Sequence, residues 1–332
     1  MIPKLSICQR DGLPVSALHR VALLAASLVC AVLLAGCATP QTGALSMEQM
    51  VANRTEITSV PFFPQEDYQC GPAALAMAMQ AAGAPVTPDK LVAEVFLPAR
   101  HGSLQPEMMA APRRHGLVTL RLAPQLRDVL EEVADGNPVV VLQNLAFDWY
   151  PVWHYAVVIG YDLGRGQIVL RSGRERRQEL PLTTFERTWA RSGYWAMLVQ
   201  SPHTLPRTVA AAPYLSAVVA LEQAGFPGKA HAAYEAALGK WPDNLTALMG
   251  LGNTAHELGD PAGSERAFRR AADLHAGSDA ALNNLAQALA DEGRFAEAQS
   301  AVRRALELDG PNKAVAERTL HDIRQKIEAY SE

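Results

Sequence analysis

Several things are scarce in this chain, and each scarcity removes a class of function. Positive charge is not in excess: 30 Lys and Arg stand against 34 Asp and Glu, a net charge of −4. That balance argues against a nucleic-acid partner. The apolar run Val21 to Leu34 has 14 residues, too short to span a bilayer comfortably. No glycine-rich phosphate loop is present. Cysteine is rare, with four in 332 residues, and only Cys70 lies beyond residue 37. His101, His115, His203, His231, His256, His275 and His321 show no metal-ligand spacing. No zinc site, and no other cofactor, is therefore expected.

What is present begins with an address. Lys4, Arg10 and Arg20 form a basic leader, and the 14-residue run has the length of a signal-peptide core. It ends in Leu34-Ala35-Gly36-Cys37. Small residues before a cysteine resemble a bacterial lipobox, in which the cysteine is acylated and becomes the new N-terminus. Residues 1–36 thus read as a lipoprotein signal peptide and Cys37 as the lipidation site. Acyl chains at about 0.8 kcal/mol per buried methylene would hold the protein to a lipid bilayer. Ala38, where a retention signal would show Asp, favours the outer membrane, facing the periplasm. With the leader gone, Cys70 is the one free thiol in an oxidising compartment, which asks for a chemical reason.

Residues 37–57 are polar with scattered small residues and read as a tether. From 58 to 200 helices come first and strands second, an α+β pattern. A helix follows Cys70 and stops at Gly83; others run over 90–96, 106–115 and 126–135. Strands are expected over 117–122, 138–142, 153–161, 167–171 and 195–200, with a turn at Leu163-Gly164-Arg165-Gly166. The cluster Arg171, Arg174, Arg176 and Arg177 reads as a solvated edge, with reception of an acidic substrate as the alternative. Residues 201–212, with Pro202 and Pro206, form a linker. Beyond it the sequence repeats at a period of 34: Gly225, Gly259, Gly293; Ala237, Ala271, Ala305; Tyr234, Phe268, Val302. Three units over 211–244, 245–278 and 279–312 resemble the tetratricopeptide repeat, and 313–330 would be its cap helix. Residues 213–330 are thus expected as an all-α solenoid offering a surface to a protein partner.

The chemistry centres on Gln65-Glu66-Asp67-Tyr68-Gln69-Cys70-Gly71-Pro72. Pro72 is tolerated in a first helical turn, which puts Cys70 at a helix N-terminus. There the helix dipole favours thiolate, the nucleophilic form. His154 opens the strand His154 to Asp162 beside an aromatic loop holding Phe147, Trp149 and Tyr150. One imidazole can hold a thiol as thiolate and protonate a leaving amine. Gln65, five residues before Cys70, can present its side-chain amide, with the Cys70 backbone N–H, to an oxyanion. Gln69 is the rival donor. Trp149, Trp153 and Phe147 are candidates for a substrate groove, a lid or plain core. A hairpin centred on Gly164-Arg165 pairs residues summing to about 329. His154 then faces about Glu175, and Val157 faces Ser172, unless a bulge shifts the register.

Gln65, Cys70-Gly71-Pro72-Ala73-Ala74-Leu75 and His154-Tyr155-Ala156-Val157-Val158-Ile159-Gly160-Tyr161-Asp162 resemble the bacteriocin-processing peptidases, papain-like domains that cleave double-glycine leaders. The likeness covers about 58–200 and is nearest to the stand-alone lipoprotein members fused to tetratricopeptide repeats. It implies an α+β papain-like cysteine peptidase domain, with Cys70 as nucleophile, His154 as base and Gln65 as oxyanion donor. It also implies Asp-Pro on the strand after the histidine strand, and here that segment reads Leu170-Arg171-Ser172-Gly173-Arg174. Ser172 is the match by motif and Glu175 the match by charge; Ser172 is preferred. The expected activity is peptide hydrolysis through a Cys70 thioester. Two alternatives remain: a non-catalytic envelope scaffold acting through its repeats, and an acyltransferase using the same Cys–His pair.

Overall fold

The computed structural model describes residues 40–46, 50, 52–65 and 69–331. The leader, Cys37 and Glu66 to Tyr68 lie outside them. A short helix α1 (Pro40–Ala44) and a strand β1 (Arg54–Glu56) come first. The helix opened by Cys70 is α2 (Cys70–Ala81), followed by α3 (Pro88–Val95). A small ribbon of β2 (Phe96–Leu97) and β3 (Gly102–Ser103) leads to α4 (Gln105–Arg114). Then come β4 (Val118–Arg121), α5 (Leu126–Ala134), β5 (Val139–Asn144), β6 (Trp153–Asp162), β7 (Gln167–Ser172) and β8 (Glu175–Pro181). Helix α6 (Leu182–Ala190) and β9 (Ala196–Gln200) close the first half.

Seven of the nine described strands form one antiparallel sheet, ordered β4-β9-β5-β6-β7-β8, with β1 also paired to β6. Strand β6 is the longest, and it changes partners along one edge. β5 covers it from Trp153 to Val158, and β1 takes over from Gly160 to Asp162. The exchange requires a glycine. A Cβ on Gly160 would lie 2.6 Å from the Thr55 carbonyl oxygen and 2.9 Å from Glu56 Cα.

Each face of the sheet carries a core. Helix α2 is apolar on all sides, as a fully covered helix must be. With Val60, Leu91 and Met108 it packs on Tyr155, Val157, Ile159 and Met197. The other face sends Val141, Ala156, Val158, Ile168 and Leu170 toward Leu130 of α5 and Phe185 and Trp189 of α6. That second core does not stop at residue 200. It continues into Tyr214, Leu215, Val218 and Leu221 of α7 (Ala211–Gln223) and Ala230, Ala233 and Tyr234 of α8 (Pro227–Lys240).

Helices α9 (Leu245–Glu257), α10 (Pro261–Leu274), α11 (Asp279–Asp291) and α12 (Phe295–Glu307) pair in the same way, and α13 (Lys313–Ser331) follows. The period of 34 is a period of structure. Gly225, Gly259 and Gly293 take left-handed φ of 85°, 77° and 76° after the first helix of each unit. Ala237, Ala271 and Ala305 are buried, as are Tyr234, Phe268 and Val302 at the shared larger position.

Three expectations change. The tether is not free along its length: Gln41 and Thr42 backbone N–H groups donate to the buried Glu186 carboxylate at 2.9 and 2.7 Å, and Arg54 to Glu56 join the sheet. The linker is docked: the Thr208 N–H and hydroxyl donate to buried Glu132, and Lys240 Nζ donates to the Pro206 and Arg207 carbonyls. The arginine cluster is not wholly solvated. Arg171 is buried and donates to the carbonyls of Val60 and Arg176, while Arg177 pairs at the surface with Glu56 and Glu179.

Candidate active site

The site lies where the sheet opens. Strands β6 and β7 pair with a register sum of 329 from Asp162↔Gln167 to Gly160↔Val169. A bulge at Ile159 then changes the sum to 328, so Val157 faces Arg171 rather than Ser172. Among the described residues no further β6–β7 pair forms beyond Val157, and the two strands separate. The freed backbone needs partners, and Gln65 supplies them. Its Nε2 donates to the Tyr155 carbonyl at 3.2 Å, its Oε1 accepts from the Gly173 N–H at 2.9 Å, and its own N–H donates to the Gly173 carbonyl at 2.9 Å. Gln65 is buried and bridges the open strand ends. One Nε2 hydrogen is engaged there, which leaves the other for a ligand.

In an antiparallel strand the N–H and C=O of one residue point to the same side. The Tyr155 carbonyl faces Gln65, and its N–H faces the Cys70 sulfur. Cys70 is the first residue of α2 and is half-buried. Burial pushes its thiol above the ordinary value, and the N–H groups of Tyr155, Gly71 and Cys70 itself oppose that only in part. Burial thus works against the dipole-favoured thiolate that the sequence suggests. Gly71 lets the ribbon close over this end of the helix. A Cβ there would collide with Ser103 Oγ. The Tyr155 hydroxyl donates to the Ser103 carbonyl at 3.2 Å and holds the ribbon in place.

His154, the residue before Tyr155, is half-buried. Its Nε2 lies 2.9 Å from Ser172 Oγ. Ser172 is buried at the end of β7 and reaches the ring on the diagonal rather than directly across. Burial pushes the His154 imidazole below its usual value, toward the neutral form. Glu175 stands opposite Ser172 in the β7–β8 hairpin, exposed to solvent. The structure therefore makes two joined pairs. Gln65 and Cys70 meet the backbone of Tyr155, and the neighbouring His154 meets Ser172. Among the described residues no hydrogen bond joins the Cys70 sulfur to the His154 ring. The role of the Tyr155 main chain was not legible in the sequence, because backbone donors leave no residue signature. Asn144, buried beneath the aromatic loop, belongs to no motif that would mark it in the sequence.

Residues 57–197 match the model of the Peptidase_C39 like family, and residues 215–281 and 279–312 match models of the tetratricopeptide repeat. The chain carries a C39-like α+β peptidase-family domain followed by an all-helical repeat region. No curated protein matches the sequence. Among solved structures, a candidate C39-like peptidase from Bacillus anthracis is 20% identical, with a TM-score of 0.38, over 44% of this chain and 96% of that one. The Yersinia enterocolitica type III secretion translocator chaperone SycD is 22% identical, with a TM-score of 0.33, over 35% of this chain and 83% of that one. The first repeat domain of Spaghetti (RPAP3), bound to an HSP90 peptide, is 21% identical, with a TM-score of 0.34, over 36% and 93%.

Proposed function

We propose that the protein is a cysteine peptidase of the bacterial envelope, anchored by lipid on Cys37, with repeats that recruit a peptide or protein. The observation that carries this reading is the opening between β6 and β7. A helix-terminal thiol, an amide donor and an imidazole with a hydroxyl partner converge on two adjacent backbone residues there.

At rest the pair is a neutral thiol and a neutral imidazole, since burial drives each to its uncharged form. With Nε2–H donating to Ser172, Nδ1 is the basic nitrogen. As sulfur attacks the scissile carbonyl carbon, Nδ1 takes the thiol proton. The oxygen that gains charge lies between the Cys70 N–H and the free Nε2 hydrogen of Gln65. The C–N bond then breaks, and the imidazolium returns its proton to the leaving amine. His154 next deprotonates a water, which attacks the thioester and restores the thiol. Small residues such as Gly-Gly before the cleaved bond are expected from the family likeness.

The test is mass spectrometry of envelope peptides incubated with the wild type, Cys70→Ala and His154→Ala. Products that require both residues are expected. Turnover that survives Cys70→Ala would end the peptidase reading. Retention of a labelled fatty acid by the wild type but not by Cys37→Ser tests the anchor.

A scaffold reading also has an observation behind it: a hydroxyl, not a carboxylate, accompanies His154, and the thiol is held protonated. A complete absence of turnover, with partner capture intact in Cys70→Ala, is its expected signature.

A further inference from the structure

The loop between β5 and β6 exposes an unusual amount of apolar surface. Leu145, Phe147, Trp149, Tyr150, Val152 and Trp153 are six of the ten large apolar side chains that stand open to solvent among the described residues. Trp149 is 81% exposed, and its ring stacks on Phe147 with centroids 5.5 Å apart and planes 9° from parallel. Tyr150 leans against Trp149 at 6.1 Å. A cluster of this kind marks a binding surface more often than chance exposure.

The loop is also built rather than slack. Asn144, buried at its base, accepts from the N–H groups of Ala146 and Val152 at 3.1 and 3.0 Å through Oδ1. Its Nδ2 donates to the Phe147 carbonyl at 3.2 Å. Leu145 N–H donates to the Val152 carbonyl, and Tyr150 N–H to the Phe147 carbonyl. Arg191 supports the base by donating to the Asn144 carbonyl at 3.3 Å. The aromatic face is therefore pre-organised, which lowers the entropic cost of binding.

Two observations choose the occupant. The first is continuity. Trp153 precedes His154 on β6, and the ladder sets Asn144 against Trp153 and Gln143 against His154. The surface grows directly out of the strand that carries the imidazole. The second is charge. Residues 138–164 hold Asp148 and Asp162 and no Lys or Arg, and Arg191, which reaches the loop from the end of α6, is engaged at its base by the Asn144 carbonyl and not among the exposed rings. A loop made for an anionic membrane surface would pair its aromatics with basic residues.

Resting on the peptidase reading, we infer that this loop receives the part of the substrate C-terminal to the scissile bond, through its aromatic or aliphatic side chains. The direction follows from the chemistry. His154 must protonate the leaving amine, so the leaving segment lies on the imidazole side of the sulfur. The loop extends from that side, and an extended peptide would cross the Phe147–Trp149 face within a few residues of the cleaved bond.

The test uses the full chain and two peptides of equal length and charge that share the residues before the bond. One carries Phe and Leu after it, the other Ser and Gly. Wild type is expected to prefer the apolar peptide in kcat/KM. Phe147→Ser/Trp149→Ser is expected to lower that preference about tenfold, the scale of losing part of the burial of an aromatic pair. Binding of the same peptides to Cys70→Ala, with and without the loop changes, is read by the anisotropy of a dye on the peptide. Equal preference in wild type, or a preference unchanged in the loop variant, overturns the inference. Loop-dependent binding of the apolar peptide without any cleavage overturns the peptidase reading and leaves peptide occupancy of the loop supported. Loop-dependent co-sedimentation with phosphatidylethanolamine–phosphatidylglycerol vesicles, with no binding of peptide, overturns the inference in favour of a bilayer.

Discussion

Ser172 stands where the family likeness calls for a carboxylate, and this difference sets the electrostatics of the candidate site. A hydroxyl 2.9 Å from Nε2 orients the imidazole but stabilises its cation less than a carboxylate would. With burial already pushing His154 toward the neutral form, little favours a resting thiolate–imidazolium pair. Alkylation of Cys70 should therefore be slow at neutral pH and still rise above the ordinary thiol range near pH 9. A rate that levels off at mildly acid pH would overturn the neutral-pair reading. Stability follows the same signs. The Cys70 thiol is raised on folding, so its contribution is whole below the ordinary thiol range and is lost as pH climbs through the raised value. His154 is lowered, so its contribution is present above the ordinary imidazole range, about 6.5, and is lost as pH falls through the lowered value. Ser172→Asp is expected to raise kcat/KM about tenfold, a modest share of what an orienting carboxylate supplies elsewhere. It should also move the acid limb of the pH profile upward, because a carboxylate favours the cation. An unmoved acid limb would mean that residue 172 does not govern the ring.

At the scale of elements, β6 does most to arrange the site, and its middle is the most constrained. Gly160 admits β1 so closely that any side chain would meet the Thr55 and Glu56 backbone. Gly160→Ala should cost about 1–3 kcal/mol, the range for overpacking a closed site, measured as a lower denaturant midpoint. Hydrogen exchange should locate the damage in 54–56, and unchanged protection there would overturn the assignment. Elements with a clean apolar period are legible in the sequence itself. Helix α2 and its Gly83 stop, the β6–β7 hairpin and the repeats fold within a residue or two of where the pattern of apolar and turn residues puts them. Strand β8 is not legible, because Glu175 to Pro181 is an exposed edge rich in charge and lacks the alternation that marks a half-buried strand. Strand β1 is too short to show a period. The Ile159 bulge leaves no residue signature either, and it decides that Val157 faces Arg171. Motifs in the sequence name Cys70, His154, Gln65 and Ser172 as candidates, but the hydrogen bonds Gln65–Tyr155 and His154–Ser172 follow from the β6–β7 register, which no motif announces.

At the scale of the whole molecule, the two halves share a core. The sheet face formed by Val118, Leu120 and Leu170 belongs to the same apolar cluster as Tyr214, Leu215, Val218 and Leu221 of α7. Phe226, at the start of the second repeat helix, lies against Gly116. Glu132 is fully buried beneath the connection, and its carboxylate accepts from Thr208 N–H, Thr208 Oγ1 and Asn137 Nδ2. A repeat array on a slack linker would need none of this. The first repeat therefore acts as a lid on the sheet, and the later repeats extend from a fixed base. Residues 1–200 made alone should then be less stable than the same residues in the full chain. Four large side chains of α7 leave the sheet face, each contributing about 1.5–3 kcal/mol when fully buried. Much of that surface stays partly covered, so a loss of at least about 3 kcal/mol is expected. Glu132 also loses two of its three donors, and an under-paired buried carboxylate adds to the cost. Denaturant unfolding of the two chains, with a dye that reports exposed apolar surface, measures the difference. A truncated chain that unfolds at the same midpoint and binds no more dye would show that the halves fold independently and that the shared core contributes nothing.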